Sequence, residues 1–336
     1  MLKRPLFYIV LNLSLSLFSA LVRRLRVFDF LFVVYPGSKK EVQAYVPLFL
    51  QWMIPLISGI GIVRSGRERG LVVGISRDIE ELKANGSLKD AYGRIHRLGE
   101  NLGIKFIALA GRLPSVFHRE GFSLGPPFVT GDKGTVFAVK ESLLSVIENE
   151  GLSPAEINMG VVGVGFVGSG VIKGLKGMGF KSLTGVDNES RRLQAAEGMG
   201  VELSQDPRAL SGCELVVFLT PRGSDAEAYL SHLKKGVVVL DDTHPYLPRK
   251  FVRYIQETKK GRAYRVMMSL SGMSFLPSFP GYASEWLPGC VIEAVVATRH
   301  GNCLAEQEDF DGRAKSMGFE PATAPLKEDP KAPFSA

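Results

Sequence analysis

Eighteen residues, Pro5 to Val22, pass without a charge between Lys3–Arg4 and the basic run Arg23, Arg24, Leu25, Arg26. Three readings stay open. A secretory signal wants small residues before its cleavage site; Ala20 fits, Phe18 does not, and the arginines directly after oppose export. A spanning helix wants about 20 apolar residues, and this run carries Asn12, Ser14, Ser16 and Ser19. In the third reading Asn12, Ser16, Ser19, Arg23 and Arg26 recur at helical steps and share one face. That predicts a basic amphipathic helix over residues 5–26, lying in a bilayer interface, on the protein itself or on a second subunit. Ser14 breaks the pattern.

Further on, Phe28–Val34 predicts a short buried strand, and Ser38 with Glu41 a helix start. The apolar stretch Tyr45–Ile62, broken by Pro47 and Pro55, is core or the wall of an apolar pocket. "ERGLVVGIS" and "GIKFIALAG" read as strands. Between them Leu88, Ala91, Ile95, Leu98 and Leu102 give a helical repeat, with Ser87 as its cap. A Gly- and Pro-rich loop then leads into the helix "TVFAVKESLLSVIENEG". In the second half "MGVVGVG", "KSLTGVD", "VELSQ", "CELVVFLT", "GVVVLDD" and "YRVMMS" are six strand-like runs.

This alternation predicts an α/β protein: a Rossmann-type doubly wound parallel sheet plus a second α/β substrate domain. The expected division is an N-terminal helix (1–28), a substrate domain (29–152, completed by 286–320), a dinucleotide domain (153–285) and a disordered tail (321–336).

Composition narrows the classes. The 336 residues carry a net charge of +7, concentrated at the N-terminus. No basic stripe interleaved with aromatics and no helix-turn-helix pattern accompanies it, so nucleic acid is not the expected partner. Cys213, Cys290 and Cys303 make neither a metal cluster nor a disulfide framework. This fits a reducing cytoplasm, with contact at the inner membrane surface left open. Cys213 and Cys303 read as packing residues.

The chemistry-bearing motif is "VVGVGFVGSG". Gly163, Gly165 and Gly168, with Phe166 and Val167 between, make G-x-G-x-x-G between a strand and a helix. That arrangement cradles a dinucleotide pyrophosphate at the helix start. Asp187 ends the next strand, where a carboxylate can hold the ribose hydroxyls of NADH; Arg191 and Arg192 could instead take the 2′-phosphate of NADPH. Asp187 favours NADH. Gly174, Gly177 and Gly179 weaken the helix that follows. Ligands of such sheets sit beyond the C-terminal strand ends, which selects Thr220 and Pro221, then Asp242 and His244, the histidine as a general acid. In the other half, Asp132 and Lys133 either orient a carbonyl or cap the helix at Thr135. "LPGCVIEAVV" sets Cys290 at a helix start, as buried packing or as a nucleophile.

The ordered motifs "ALAGRLPSVF", "VTGDKGTVFAV", "VVGVGFVGSG" and "GCVIEAVV" resemble the long-chain acyl-[acyl-carrier-protein] reductases of cyanobacteria and their bacterial relatives over about Asp29 to Ala322. The resemblance implies that Cys290 takes a fatty acyl group from acyl carrier protein or CoA as a thioester, and that NADPH reduces it to an aldehyde. Glu293 falls on the family's acidic position three residues on. The chain departs at Pro114 and Asp132, where the family has threonine and asparagine, and at Gly289 and Ile292, where it has alanine. Two rival readings accompany this one: a shikimate-dehydrogenase-like carbonyl–alcohol oxidoreductase using Lys133 and Asp132, and a non-catalytic NAD(P)-binding module at a membrane. A homo-oligomer is compatible with all three.

Overall fold

The computed structural model describes residues 3–37, 42–43, 45–46, 54–64, 67–279, 282–301, 306–323 and 325–326. The strands are β1 (Phe30–Val34), β2 (Ile57–Arg64), β3 (Arg69–Ile75), β4 (Phe106–Leu109), β5 (Phe128–Val129), β6 (Asn158–Val162), β7 (Ser182–Val186), β8 (Glu202–Ser204), β9 (Leu215–Phe218), β10 (Val238–Asp241), β11 (Arg262–Arg265), β12 (Met268–Leu270), β13 (Ser274–Leu276) and β14 (Phe319–Pro321). Helices of ten residues or more are α1 (Lys3–Arg24), α2 (Leu88–Leu102), α3 (Asp132–Asn149), α4 (Phe166–Leu175), α5 (Gly289–His300) and α6 (Gln307–Ser316). The chain folds into two compact units, Met1–Gly131 with Ser269–Phe319, and Asp132–Met268 with Glu320–Ala336.

The first unit is built on a mixed sheet of order β13-β2-β3-β1-β4-β5. Strands β3, β1, β4 and β5 run parallel, and β2 and β13 extend the edge antiparallel. β1 reads FLFVV without a polar residue because it is central and covered on both faces. Helix α2 buries Leu88, Ala91, Ile95 and Leu102 as its spacing predicts. Its expected cap is absent: the Ser87 side chain makes no cap bond and instead accepts from Arg77 Nη1 at 2.8 Å. Helix α5 is apolar nearly all round and packs on β4, β1 and β5, so it fills the core.

Helix α1 belongs to this unit, but not with the orientation its polar face predicts. Asn12 turns inward: its Nδ2 donates to Gly59 O at 2.7 Å and its Oδ1 accepts from Gly59 N at 2.9 Å. A primary amide thus pairs with both backbone groups of a single residue, and Leu11 and Leu15 close over Gly59 beside it. The leucines on the opposite face are left outside. Among the described residues no helix is long and apolar enough to cross a membrane.

The second unit holds a six-stranded parallel sheet of order β11-β10-β9-β6-β7-β8. Read from the other edge, this is the 3-2-1-4-5-6 winding of a Rossmann sheet, with the order reversing between β6 and β9. Five of its strands are predicted runs; the sixth run, Tyr264–Ser269, is divided between the end of β11 and the start of β12, which pairs with β14.

Three boundaries differ from the sequence reading. Helix α3, assigned above to the substrate domain, belongs to the unit of the Rossmann sheet. It packs there on α4, where a Cβ at Gly170 would lie 2.8 Å from Val136 Cγ2 and one at Gly174 2.8 Å from Lys140 Cδ. Gly174 therefore serves close helix contact, and Gly179 (φ +76°) ends that segment left-handed. Second, β13 lies at the edge of the first unit's sheet, not in the dinucleotide domain. Third, the start of the expected disordered tail is ordered: Leu326 N donates to Ala263 O at 2.7 Å and Pro325 bridges Tyr264. β11 is an edge strand, and its unpaired backbone groups recruit the passing chain. The Ser38 helix start, residues 47–53 of the apolar stretch and Cys303 lie outside the described residues.

Candidate functional sites

The glycine turn in the second unit is set by backbone geometry. Gly163 has φ +96°, and a Cβ there would sit 2.9 Å from Leu219 O. Gly168 is pressed against the turn it follows: a Cβ would lie 1.9 Å from Gly163 O. Gly165 differs. It is the N-cap of α4, and the position its Cβ would take has no protein atom within 4 Å. Open space over the free N–H groups of a helix start is what a pyrophosphate needs. The three glycines thus divide into two required by the fold and one that leaves room for a ligand. Phe166 projects into solvent, 76% exposed, and Val167 is half-buried.

Asp187 follows β7. Its carboxylate is 2% exposed and already engaged. Oδ2 accepts from Val164 N at 2.8 Å, inside the glycine turn, and Oδ1 from Glu189 N at 2.9 Å. Arg192, which also pairs with Glu189, reaches Oδ2 at 3.4 Å. Asp187 therefore braces the turn, a role that sequence spacing does not reveal. Arg191 is exposed beside it.

Two loops meet at the C-terminal ends of β9 and β10. Thr220 is buried and its hydroxyl donates to Arg222 O at 2.9 Å; Pro221 is exposed. Gly223 N donates to Pro245 O at 2.7 Å, and a Cβ at Gly223 would strike Tyr246 C at 2.1 Å. The second loop is locked by Asp241, which sequence reasoning passed over. Its Oδ1 accepts from Thr243 N and Oγ1, its Oδ2 from Leu247 N, and Arg265 Nη2 pairs with Oδ2 at 2.7 Å. Both partners are buried, and the Arg265 guanidinium stacks on Tyr246, 3.0 Å from the ring centroid. The tandem acids Asp241–Asp242 at a strand end were the available signal.

Electrostatics in this loop are unusual. Burial, then the Asp241 charge, pushes the Asp242 carboxyl up to about 8. Burial, then the Arg265 charge, brings His244 down to about 4. His244 is therefore a neutral imidazole at pH 7. As a neutral imidazole it can donate or accept a hydrogen bond.

In the first unit Cys290 is the second residue of α5, after the N-cap Pro288 and Gly289, and is 8% exposed. The loop leaving β5 lies against it: Gly131 (φ +83°) is so close that a Cβ would fall 2.8 Å from Cys290 Cβ and 3.1 Å from its Cα. The loop leaving β5 and the start of α5, far apart in sequence, thus meet within the first unit. Glu293, one turn on, is half-buried. Asp132 and Lys133 form the first turn of α3, in the other unit; the helix begins there and not at Thr135. Cys213 is buried, with its thiol pushed up to about 11 by burial, as a packing residue should be. Among the described residues no cluster of metal-ligating side chains occurs.

No protein-family model matches the sequence, and no curated protein does. Among solved structures the chain is similar to the A chain of dipicolinate synthase from Bacillus subtilis, at 14% identity over 48% of this chain and 55% of that one, with a TM-score of 0.35. It is also similar to Mycobacterium tuberculosis 3-hydroxyisobutyrate dehydrogenase (17%, 32% and 39%, TM-score 0.29) and to an imine reductase from Myxococcus stipitatus (16%, 33% and 40%, TM-score 0.28). The chain thus spans between 39% and 55% of the length of these proteins.

Proposed function

We propose that the chain is a nicotinamide-dependent oxidoreductase that reduces a fatty acyl thioester of acyl carrier protein or CoA to an aldehyde. The observation that carries the dinucleotide part is the glycine turn, with Gly163 and Gly168 required by the backbone and open space over Gly165 at the start of α4. There the residues fit the cofactor: Gly165, Phe166 and Val167 would meet the pyrophosphate, and Asp187, Arg191, Thr220 and Pro221 flank the turn. Bound there, NADH or NADPH supplies hydride for the two-electron reduction of the acyl carbon.

The acyl part rests on the motif resemblance and on the setting of Cys290. Its sulfur belongs to the first turn of a helix, whose N–H groups stabilise negative charge. The thiolate attacks the acyl carbonyl carbon; a bond to Cys290 Sγ forms and the carrier's C–S bond breaks, the carrier leaving as its thiol after taking a proton. Reduction then breaks the bond to Sγ and returns the thiolate. Glu293, one turn along the same face, is a proton acceptor or orienting group for this exchange.

Intact-mass measurement after incubation with palmitoyl-CoA or palmitoyl-acyl carrier protein tests this reading. The expected result is one acyl adduct, absent in Cys290→Ala. Carbonyl reduction that survives Cys290→Ala would favour the dehydrogenase alternative, with Lys133 and Asp132 at its centre. Cofactor binding with no turnover of thioester or carbonyl would favour the non-catalytic module.

A further inference from the structure

We propose that the outward face of α1 lies on an anionic phospholipid surface and holds a lipid phosphate at its arginine end. Six apolar side chains of this helix are 46–73% exposed: Leu6, Ile9, Val10, Leu13, Leu17 and Leu21. At helical spacing they fall within an arc of about 120°. From Leu6 to Leu21 the stripe is about 22 Å long. Single exposed leucines need no explanation, but a continuous stripe of this kind marks an interaction surface. The helix cannot roll to hide it, because Asn12 is bonded to Gly59 on the opposite side.

Two observations select a lipid surface over other occupants. α1 contains no Asp or Glu; Arg4 lies at its start and Arg23 and Arg24 in its last turn. A second copy paired along the stripe would set cation against cation in either orientation. An acidic protein would find no charge along the uncharged middle. A bilayer interface matches both parts, acyl chains for the leucines and anionic headgroups for the ends. The second observation is an open depression of about 500 Å³ at the C-terminal end, lined by Ala20, Arg23, Arg24, Arg26 and Gly103. Three arginines line it, and guanidinium is the donor type suited to a phosphodiester.

The inference is independent of the reaction proposed above. Its test is co-sedimentation of the full chain with vesicles of phosphatidylcholine, alone or mixed equally with phosphatidylglycerol. The expected result is binding to the mixed vesicles, weakened about tenfold or more by Leu13→Glu with Leu17→Glu. Arg24→Glu with Arg26→Glu should remove the preference for the anionic lipid. Should the leucine pair variant aggregate, Leu17→Ser at the most exposed position gives the same reading. Absence of wild-type binding, or binding unchanged by the leucine substitutions, would overturn the proposal. So would a dimer in analytical ultracentrifugation that the leucine substitutions convert to monomer, since a second copy would then cover the stripe.

Discussion

Asp187 Oδ2 accepts the Val164 amide hydrogen at 2.8 Å, tying the end of β7 to the middle of the glycine turn while the carboxylate stays 2% exposed. The same carboxylate receives Glu189 N. Asp187→Ala would leave two amide donors without this acceptor, at a cost of about 1–3 kcal/mol per buried group left unsatisfied. The expected outcome is a lower denaturation midpoint together with weaker binding of both NADH and NADPH. A residue acting only on the ribose hydroxyls would change cofactor preference and leave stability alone. Urea titration beside cofactor titration separates the two.

The glycines give a sharper contrast. Gly165→Val adds a side chain where no protein atom lies within 4 Å, so folding should persist while dinucleotide affinity falls about tenfold or more. Gly168→Ala forces a Cβ to within 1.9 Å of Gly163 O and should unfold or displace the turn. Thermal melts and cofactor fluorescence titrations of the two variants check the ordering.

Much of this was legible in the chain. Five apolar runs separated by turn signals match five of the six parallel strands, the run Tyr264–Ser269 is divided between two sheets, and the spacing of Gly163, Gly165 and Gly168 marks the turn. What stayed hidden depends on partners remote in sequence. The inward turn of Asn12 needs the Gly59 peptide, 47 residues away, and so the helix shows solvent the face that periodicity would bury. The place of α3 depends on Gly170 and Gly174 meeting Val136 and Lys140. The lock on the β10 loop requires Arg265, 24 residues after Asp241, and a strand-end aspartate gives no sign of that ion pair.

The β10 loop predicts an unusual pH dependence. The Asp242 carboxyl is raised to about 8 from an ordinary value of 3.8, so the folded chain keeps a proton that the unfolded chain releases. Stability from this group is full below about pH 4 and is lost as pH rises toward 8. His244 acts oppositely: lowered to about 4 from 6.5, it costs stability as pH falls from 6.5 to 4, because only the unfolded chain takes the proton. Below pH 6.5 the two offset. Between pH 6.5 and 8 the Asp242 contribution dominates as the histidine's fades, and unfolding free energy should fall by about 1 kcal/mol per pH unit. Asp242→Asn should flatten that window, as read by urea denaturation at pH 6.5, 7.2 and 8.0.

The seating of α1 predicts its own variant. Asn12→Leu removes both bonds to Gly59 and leaves its N–H and C=O beneath a hydrocarbon side chain. A loss of about 1–3 kcal/mol is expected, with faster amide exchange over β2. Asn12→Gln should recover little, because the longer amide cannot keep the same match.

In the proposed reaction an acyl group on Cys290 is the species reduced. The most direct measurement starts from the chain acylated at Cys290 by palmitoyl-CoA and freed of excess thioester. NADH or NADPH carrying deuterium at nicotinamide C4 is then added, and the product is analysed by mass. The expected product is one aldehyde per acyl-enzyme, carrying one deuterium at C1 from one face of the nicotinamide, with Cys290 returned to free thiol. Persistence of the adduct with reduced dinucleotide bound, or deuterated aldehyde formed equally well by Cys290→Ala, would contradict it.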